Sequence, residues 1–199
     1  MKKLLWIVVL GLLLSSNAYA ATNIYLSCPM YITEDNSDDV ISEVFSETNG
    51  FVAQIYANIK ISSSNIKLKL YLQSPAMDDD WTNKKPVKTK IKFKGSVEDN
   101  HYYFEGKTKE SNNQMTSEGY TNYDFYKKEG EWFLDAELYG VASFKKSYLK
   151  KLEKISKDLA LELKNVTTDF TSYENICLEY DKKEFKNIIK KGILKAEDF

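Results

Sequence analysis

Alternation of apolar and polar positions dominates the chain over residues 51–144. Phe51, Ala53, Ile55, Ala57, Ile59 and Ile61 share one side of an extended segment; Gln54, Tyr56, Asn58 and Lys60 share the other. A period of two over that length predicts a half-buried strand. After the polar turn at 62–65, Ile66, Leu68, Leu70 and Leu72 alternate with Lys67, Lys69 and Tyr71. The two runs predict a β-hairpin. A polar loop covers 74–86. Val87, Thr89, Ile91, Phe93, Gly95 and Val97 then oppose Lys88, Lys90, Lys92 and Lys94, a further strand over 87–97. Residues 101–108 return as an aromatic-rich strand, and 110–119 read as a polar connection. Strands at 120–127 and 132–144 flank the turn Lys128-Glu129-Gly130, where glycine supplies a positive φ. Earlier, 24–28 predicts a short strand ended by Pro29, and 33–39 an acidic loop. In 40–46, Val40, Ile41, Val44 and Phe45 fit one helical face over a short length.

After Phe144 the period lengthens. Tyr148, Leu149, Leu152, Ile155, Leu159 and Leu163 recur at intervals of three and four, which predicts an amphipathic helix over 146–164. Its stripe is the best cover the chain offers for an open sheet face. A second helix is predicted over 182–191. Asp181 and Glu184 form a capping-box pattern there, Gly192 is placed to end it, and Phe185, Ile188 and Ile189 form its buried stripe. The order predicts a mainly β (α+β) protein: an antiparallel curved sheet or barrel-like meander followed by two C-terminal helices. The alternative is a two-layer α+β sheet. One domain spans 21–199, with a β region at 21–144 and a helical region at 145–199. The layout resembles a lipocalin-type β-barrel, which also ends in a helix, although no glycine-x-tryptophan stands near the first strand.

The first twenty residues read differently. Met1-Lys2-Lys3 precedes an apolar run at 4–14, and Ala18-Tyr19-Ala20 is a small-x-small site. This predicts a Sec signal peptide cut after Ala20. The run is about half of the ~20 residues a membrane span needs, and no later stretch is apolar enough to cross. The mature chain is expected to be soluble, in the periplasm or secreted.

Of 199 residues, 28 are basic, and every one is lysine. That excludes arginine clamps on phosphate. With abundant Asn and Ile it reads as the bias of an AT-rich genome. The formal net charge of −1 argues against general attraction to nucleic acid. The two cysteines, Cys28 and Cys177, lack metal-binding spacing and predict one disulfide tying the first strand to the C-terminal region.

Candidate chemistry is sparse. Lys60, Lys67, Lys69, Lys88, Lys90, Lys92 and Lys94 share one face if their strands are neighbours. That face suits an anionic glycan, a lipid head group or nucleic acid; the reading favoured here is a solvated face pairing with acids such as Asp135 and Glu137. The acidic loops at 33–39 and 78–80 lack the EF-hand glycine and distal glutamate. His101, the only histidine, stands beside a turn with no recognisable nucleophile. Asp124, Asp135 and Glu137 could supply the paired carboxylates of a glycoside hydrolase. Tyr56, Tyr71, Tyr102, Tyr123, Trp132 and Tyr139 fall on strands, and such side chains also wall apolar pockets; they are the candidate ligand-binding residues. No metal or organic cofactor is expected. The function expected is non-catalytic: binding of a small apolar or amphiphilic ligand. The first alternative is an assembly factor that binds an envelope protein, and the second is a hydrolase.

Overall fold

The computed structural model describes residues 22–62, 65–75, 85–111 and 114–191. The predicted signal at 1–20, the aspartates at 78–80 and the expected C-cap Gly192 lie outside them.

The strands are β1 (Thr22–Tyr31), β2 (Glu34–Asp35), β3 (Phe51–Ser62), β4 (Asn65–Gln73), β5 (Val87–Lys88), β6 (Phe93–Glu98), β7 (His101–Ser111), β8 (Met115–Lys128), β9 (Glu131–Phe144) and β10 (Asn165–Glu179). The helices are α1 (Asp39–Glu47), α2 (Lys146–Leu152), α3 (Lys157–Glu162) and α4 (Lys182–Lys191). Every strand pairing is antiparallel, in one sheet of order β5-β4-β3-β1-β10-β9-β8-β7-β6, with β2 on β10. The sheet curls into a half-barrel. The predicted hairpin is present: Ile55 faces Leu72 and Ile59 faces Leu68.

The concave side holds the core. Leu26, Ile55, Ile59, Leu70, Phe104, Phe125, Leu134 and Phe170 are almost wholly withdrawn from water. Each buried side chain of this kind contributes about 1.5–3 kcal/mol. The interior is therefore filled with side chains.

The first and last strands lie side by side in the sheet. Leu26 and Ser27 pair with Glu179 and Leu178, and in the same register Cys28 and Cys177 are disulfide-bonded, with Cα atoms 4.2 Å apart. Just beyond, β10 bulges between Ser172 and Asn175, with Glu174 at φ 53°. A buried polar knot fills the bulge. Asn175 Nδ2 donates to Leu134 O (2.9 Å) and Ser172 Oγ (2.8 Å), Tyr31 N donates to Asn175 Oδ1 (3.1 Å), and Ser172 Oγ donates to Tyr31 O. Buried polar groups with partners of this kind cost little to bury.

Four expectations change. The region 145–199 is not helical throughout, because β10 occupies its centre. The single helix over 146–164 is two short ones, α2 and α3, separated by a turn. α2 buries no residue and Ile155 is 81% exposed, while α3 buries Ala160, so α2 does not cover the sheet. A helix that packs on little has no tertiary support to extend it. The cover comes from α4 instead. Phe185 and Ile188 pack on Tyr56 with Tyr25, Tyr71, Tyr180 and Ile189, which buries β3 on its second face. Asp181 caps α4 as its sequence implies. Its Oδ1 accepts from Lys183 N (2.6 Å) and Glu184 N (2.9 Å), and Glu184 Oε2 accepts from Asp181 N at 3.4 Å. The segment 40–46 is helical, within α1. Finally, the predicted strand over 87–97 is interrupted. β5 pairs with β4, β6 pairs with β7, and residues 89–92 pass between opposite edges of the sheet.

Candidate functional site

The six candidate aromatics occupy three environments. Tyr102, Tyr123 and Trp132 belong to the concave core; the rings of Tyr102 and Trp132 are 5.6 Å apart. Trp132 Nε1 donates to Glu179 Oε2 at 2.9 Å. Burial pushes the Tyr123 hydroxyl pKa well up, which keeps it neutral. Tyr56 and Tyr71 lie on the opposite side, under α4, where Tyr56 donates to Gln73 Oε1 at 2.8 Å. Tyr139 is exposed and stacks on Tyr120 at 5.4 Å. They do not line one common pocket.

A first cluster of titratable groups lies on the convex face of β7, β8 and β9. Tyr103, Asp124 and Asp135 stand in one cross-strand row, because Tyr103 faces Asp124 and Asp124 faces Asp135. The next row joins Glu105, Asn122 and Glu137. His101 Nδ1 lies 2.7 Å from Asp124 Oδ2, and its ring stacks between those of Tyr103 and Tyr126. Burial raises the Asp124 carboxyl pKa; the bond to His101 opposes this, and the charge on Asp135 adds to it. Asp135 Oδ1 accepts from Glu174 N (2.6 Å) and from the Tyr126 hydroxyl (3.4 Å). The Tyr126 pKa is pushed up to about 12, by burial first and then by the Asp135 and Glu174 carboxylates. Tyr103, Asp124, Asp135, Glu105, Asn122 and Glu137 border an open hollow of about 370 Å³ that Tyr173 also lines. Chemically, two facing carboxyls, one with its pKa raised by burial, have the arrangement of an acid–base pair. Among the described residues, no three His, Cys, Asp or Glu side chains are placed to hold a metal ion.

The larger feature is the seam where the sheet's two edges approach. It is a groove of about 890 Å³ lined by β4, β5, residues 89–92 and the start of β6. Its rim carries Lys67, Lys69, Lys88, Lys90, Lys92 and Lys94, and its floor Ile66, Leu68, Leu70, Ile91 and Phe93. Strand alternation produces this division. Residues 66, 68 and 70 turn inward with the core, and the intervening lysines turn out. β6 follows the same rule, since Gly95 faces inward-pointing Phe104 and Lys94 faces Glu105. Among the described residues none of the six rim lysines forms an ion pair. The seventh, Lys60, sits directly opposite Lys67, a like-charge pairing that strands normally avoid. The acids once expected to pair with this face, Asp135 and Glu137, are on β9, away from it. Among the described residues, the groove thus joins lysines without ion pairs to an apolar floor, with Glu105 opposite Lys94. The lysine pattern is legible in the sequence. The seam is not, because alternation runs unbroken through 87–97.

The chain matches no protein-family model, no curated protein and no solved structure. No helix among the described residues is long and apolar enough to cross a membrane.

Proposed function

We propose that this is an exported, non-catalytic envelope protein that binds an anionic amphiphile in the groove between β4 and β6. The observation that carries the reading is the lysine rim over an apolar floor at the seam. The volume falls within the ~300–1,000 Å³ of small-molecule sites. A charged head group is drawn to the six ammonium groups, and an apolar body is drawn to Ile66, Leu68, Leu70, Ile91 and Phe93. The Sec-type signal at 1–20 and the bonded Cys28–Cys177 pair support export to the periplasm or beyond, where disulfides persist. The filled core favours a site at the sheet's margin over one enclosed by it.

The test is calorimetric titration with dodecyl phosphate and, as a charge control, dodecyltrimethylammonium, both below their micelle concentrations. The phosphate binds and the ammonium does not. Near an anionic surface each lysine contributes roughly 1 kcal/mol. The variant Lys67→Glu/Lys69→Glu/Lys94→Glu therefore weakens binding about a hundredfold or more, and added salt weakens it in the wild type. Equal binding of both probes, or none of either, defeats the proposal.

A second reading, hydrolysis, is favoured by one observation only: Asp124, with its raised pKa, faces Asp135 across adjacent strands. Turnover of a glycoside that Asp124→Asn abolishes would establish it.

A further inference from the structure

Resting on that reading, we infer that the seam opens. The alkyl tail of a single-chain anionic amphiphile replaces the wedge formed by Ile91 and Phe93 and occupies the slot they vacate at the margin of the core, while its head group stays on the lysine rim.

The seam differs from every other junction in the sheet. Neighbouring strands elsewhere are joined by ladders, and β1 and β10 also by a disulfide. Between β4 and β6, among the described residues, there is no ladder: the hydrogen-bonded order ends at β5 on one side and β6 on the other. Upstream, β5 pairs only at Tyr71–Lys88 and Leu72–Val87, followed by Thr89 N donating to Leu70 O at 3.0 Å. The edges otherwise meet through side chains. Separating them along β6 breaks apolar contacts and leaves the backbone ladders intact.

Two glycines show what fills the gap. A Cβ at Gly95 would meet Ile66 Cγ2 and the Phe104 ring at 2.7 Å, and one at Gly106 would meet Ile91 Cγ2 at 2.6 Å and the Phe93 ring at 2.7 Å. Ile66, Ile91 and Phe93 therefore lie over bare backbone, each in space that a side chain at position 95 or 106 would occupy. None of the three is tied by a polar bond. Ile91 and Phe93 are only partly buried, although Phe93 packs against the core. Behind Phe93 stands Tyr123, their rings 5.7 Å apart, and behind Phe104 stands Phe125 at 6.1 Å. A tail that displaces the wedge meets two glycine backbones flanked by aromatic rings, a slot suited to an unbranched alkyl chain. Lys90 and Lys92 flank Ile91 in the moving segment, so they travel with the wedge and remain beside the head group.

The experiment locks the seam. A Cβ at Gly95 would lie 2.7 Å from Ile66 Cγ2, close enough for an Ile66→Cys/Gly95→Cys pair to be oxidised to a disulfide once the Phe104 ring, also at 2.7 Å, gives way. The control is Ile66→Ser/Gly95→Ser, similar in volume and unable to bond. A peptide map confirms the new bond and the native one. Butyl, octyl and dodecyl phosphate are then titrated below their micelle concentrations. In the wild type, affinity rises about fourfold for each methylene that enters the slot, as methylene burial dictates. The serine control, which also lacks the Ile66 side chain of the groove floor, is the reference for the locked protein: butyl phosphate binds both alike, and the gain with tail length persists in the serine control and is lost in the locked protein. If the locked protein keeps the full gain, the tail lies in the surface groove and the inference fails while the proposed function stands. If tail length has no effect in the wild type, the inference fails in the same way. If no alkyl phosphate binds the wild type, both fail together.

Discussion

Removing the Cys28–Cys177 bond is expected to destabilise the protein severely, and the structure sets the scale. The two cysteines are separated by 149 positions. Closing a loop of that length removes conformational entropy from the unfolded chain and raises its free energy by about 5 kcal/mol in the chain-entropy model, near the top of the range for native disulfides. Local geometry gives the bond further weight. β1 pairs with β3 along its whole length but with β10 only at Leu26–Glu179 and Ser27–Leu178. The bond thus reinforces the narrowest ladder joining the two halves of the sheet. For a domain of this size each kcal/mol shifts the melting temperature by roughly 2–4 °C, so Cys28→Ala/Cys177→Ala should melt roughly 10–20 °C lower. Both cysteines are buried, so part of the loss would be packing. Reduced wild-type protein, which keeps both sulfurs, isolates the loop contribution. Hydrogen exchange should accelerate first in 175–179 and 24–28, ahead of β8. A double variant that melts within ~2 °C of the wild type would refute the argument.

The cover of the convex face gives a paired prediction: Phe185→Ala should cost about 3–5 kcal/mol, whereas Ile155→Ala, at an exposed position, should stay within ~0.5 kcal/mol in urea unfolding; equal effects would return the cover to α2 and α3. Asp124 offers a pH test. Its folded pKa is raised above 3.8, chiefly by burial, so the native state holds this proton longer than the unfolded state and loses stability as pH rises through that window. The stability of the wild type relative to Asp124→Asn should therefore fall as pH rises from below 3.8 through the raised pKa, followed by urea midpoints at each pH; a rising difference would contradict the sign. Replacing Asp181 with alanine should cost ~1 kcal/mol through loss of the α4 cap, and Asp181→Asn should recover most of it.

The fold was legible where each strand keeps one apolar face. Ile55, Ile59, Leu68 and Leu70 announce the β3–β4 hairpin, and the Asp181–Glu184 pair announces the start of α4. β10 escaped because its inward positions include Ser172 and Asn175, and because the bulge at Glu174 shifts the alternation midway. Those inward polar groups are tolerable only because Tyr31 and Leu134, distant in sequence, supply their partners. The stripe over 146–164 shows the converse. Spacing reveals that a face is apolar and is silent on whether anything meets it, and Ile155 meets water. The candidate site was half legible. Alternating lysines at 67–69 and 88–94 predicted a basic face. That the face straddles an unladdered junction depends on 89–92 leaving one sheet edge for the other, a long-range event with no local signature.

The most direct test is native mass spectrometry of the protein isolated from its own host without detergent. The wild type should carry one non-covalent anionic amphiphile per chain, identified after organic extraction by tandem mass spectrometry in negative mode. The Lys67→Glu/Lys69→Glu/Lys94→Glu variant, folded by its melting curve, should carry none. Retention of the same amphiphile by that variant would contradict the account, and so would a bare wild-type chain or one that arrives with a protein partner in place of a lipid.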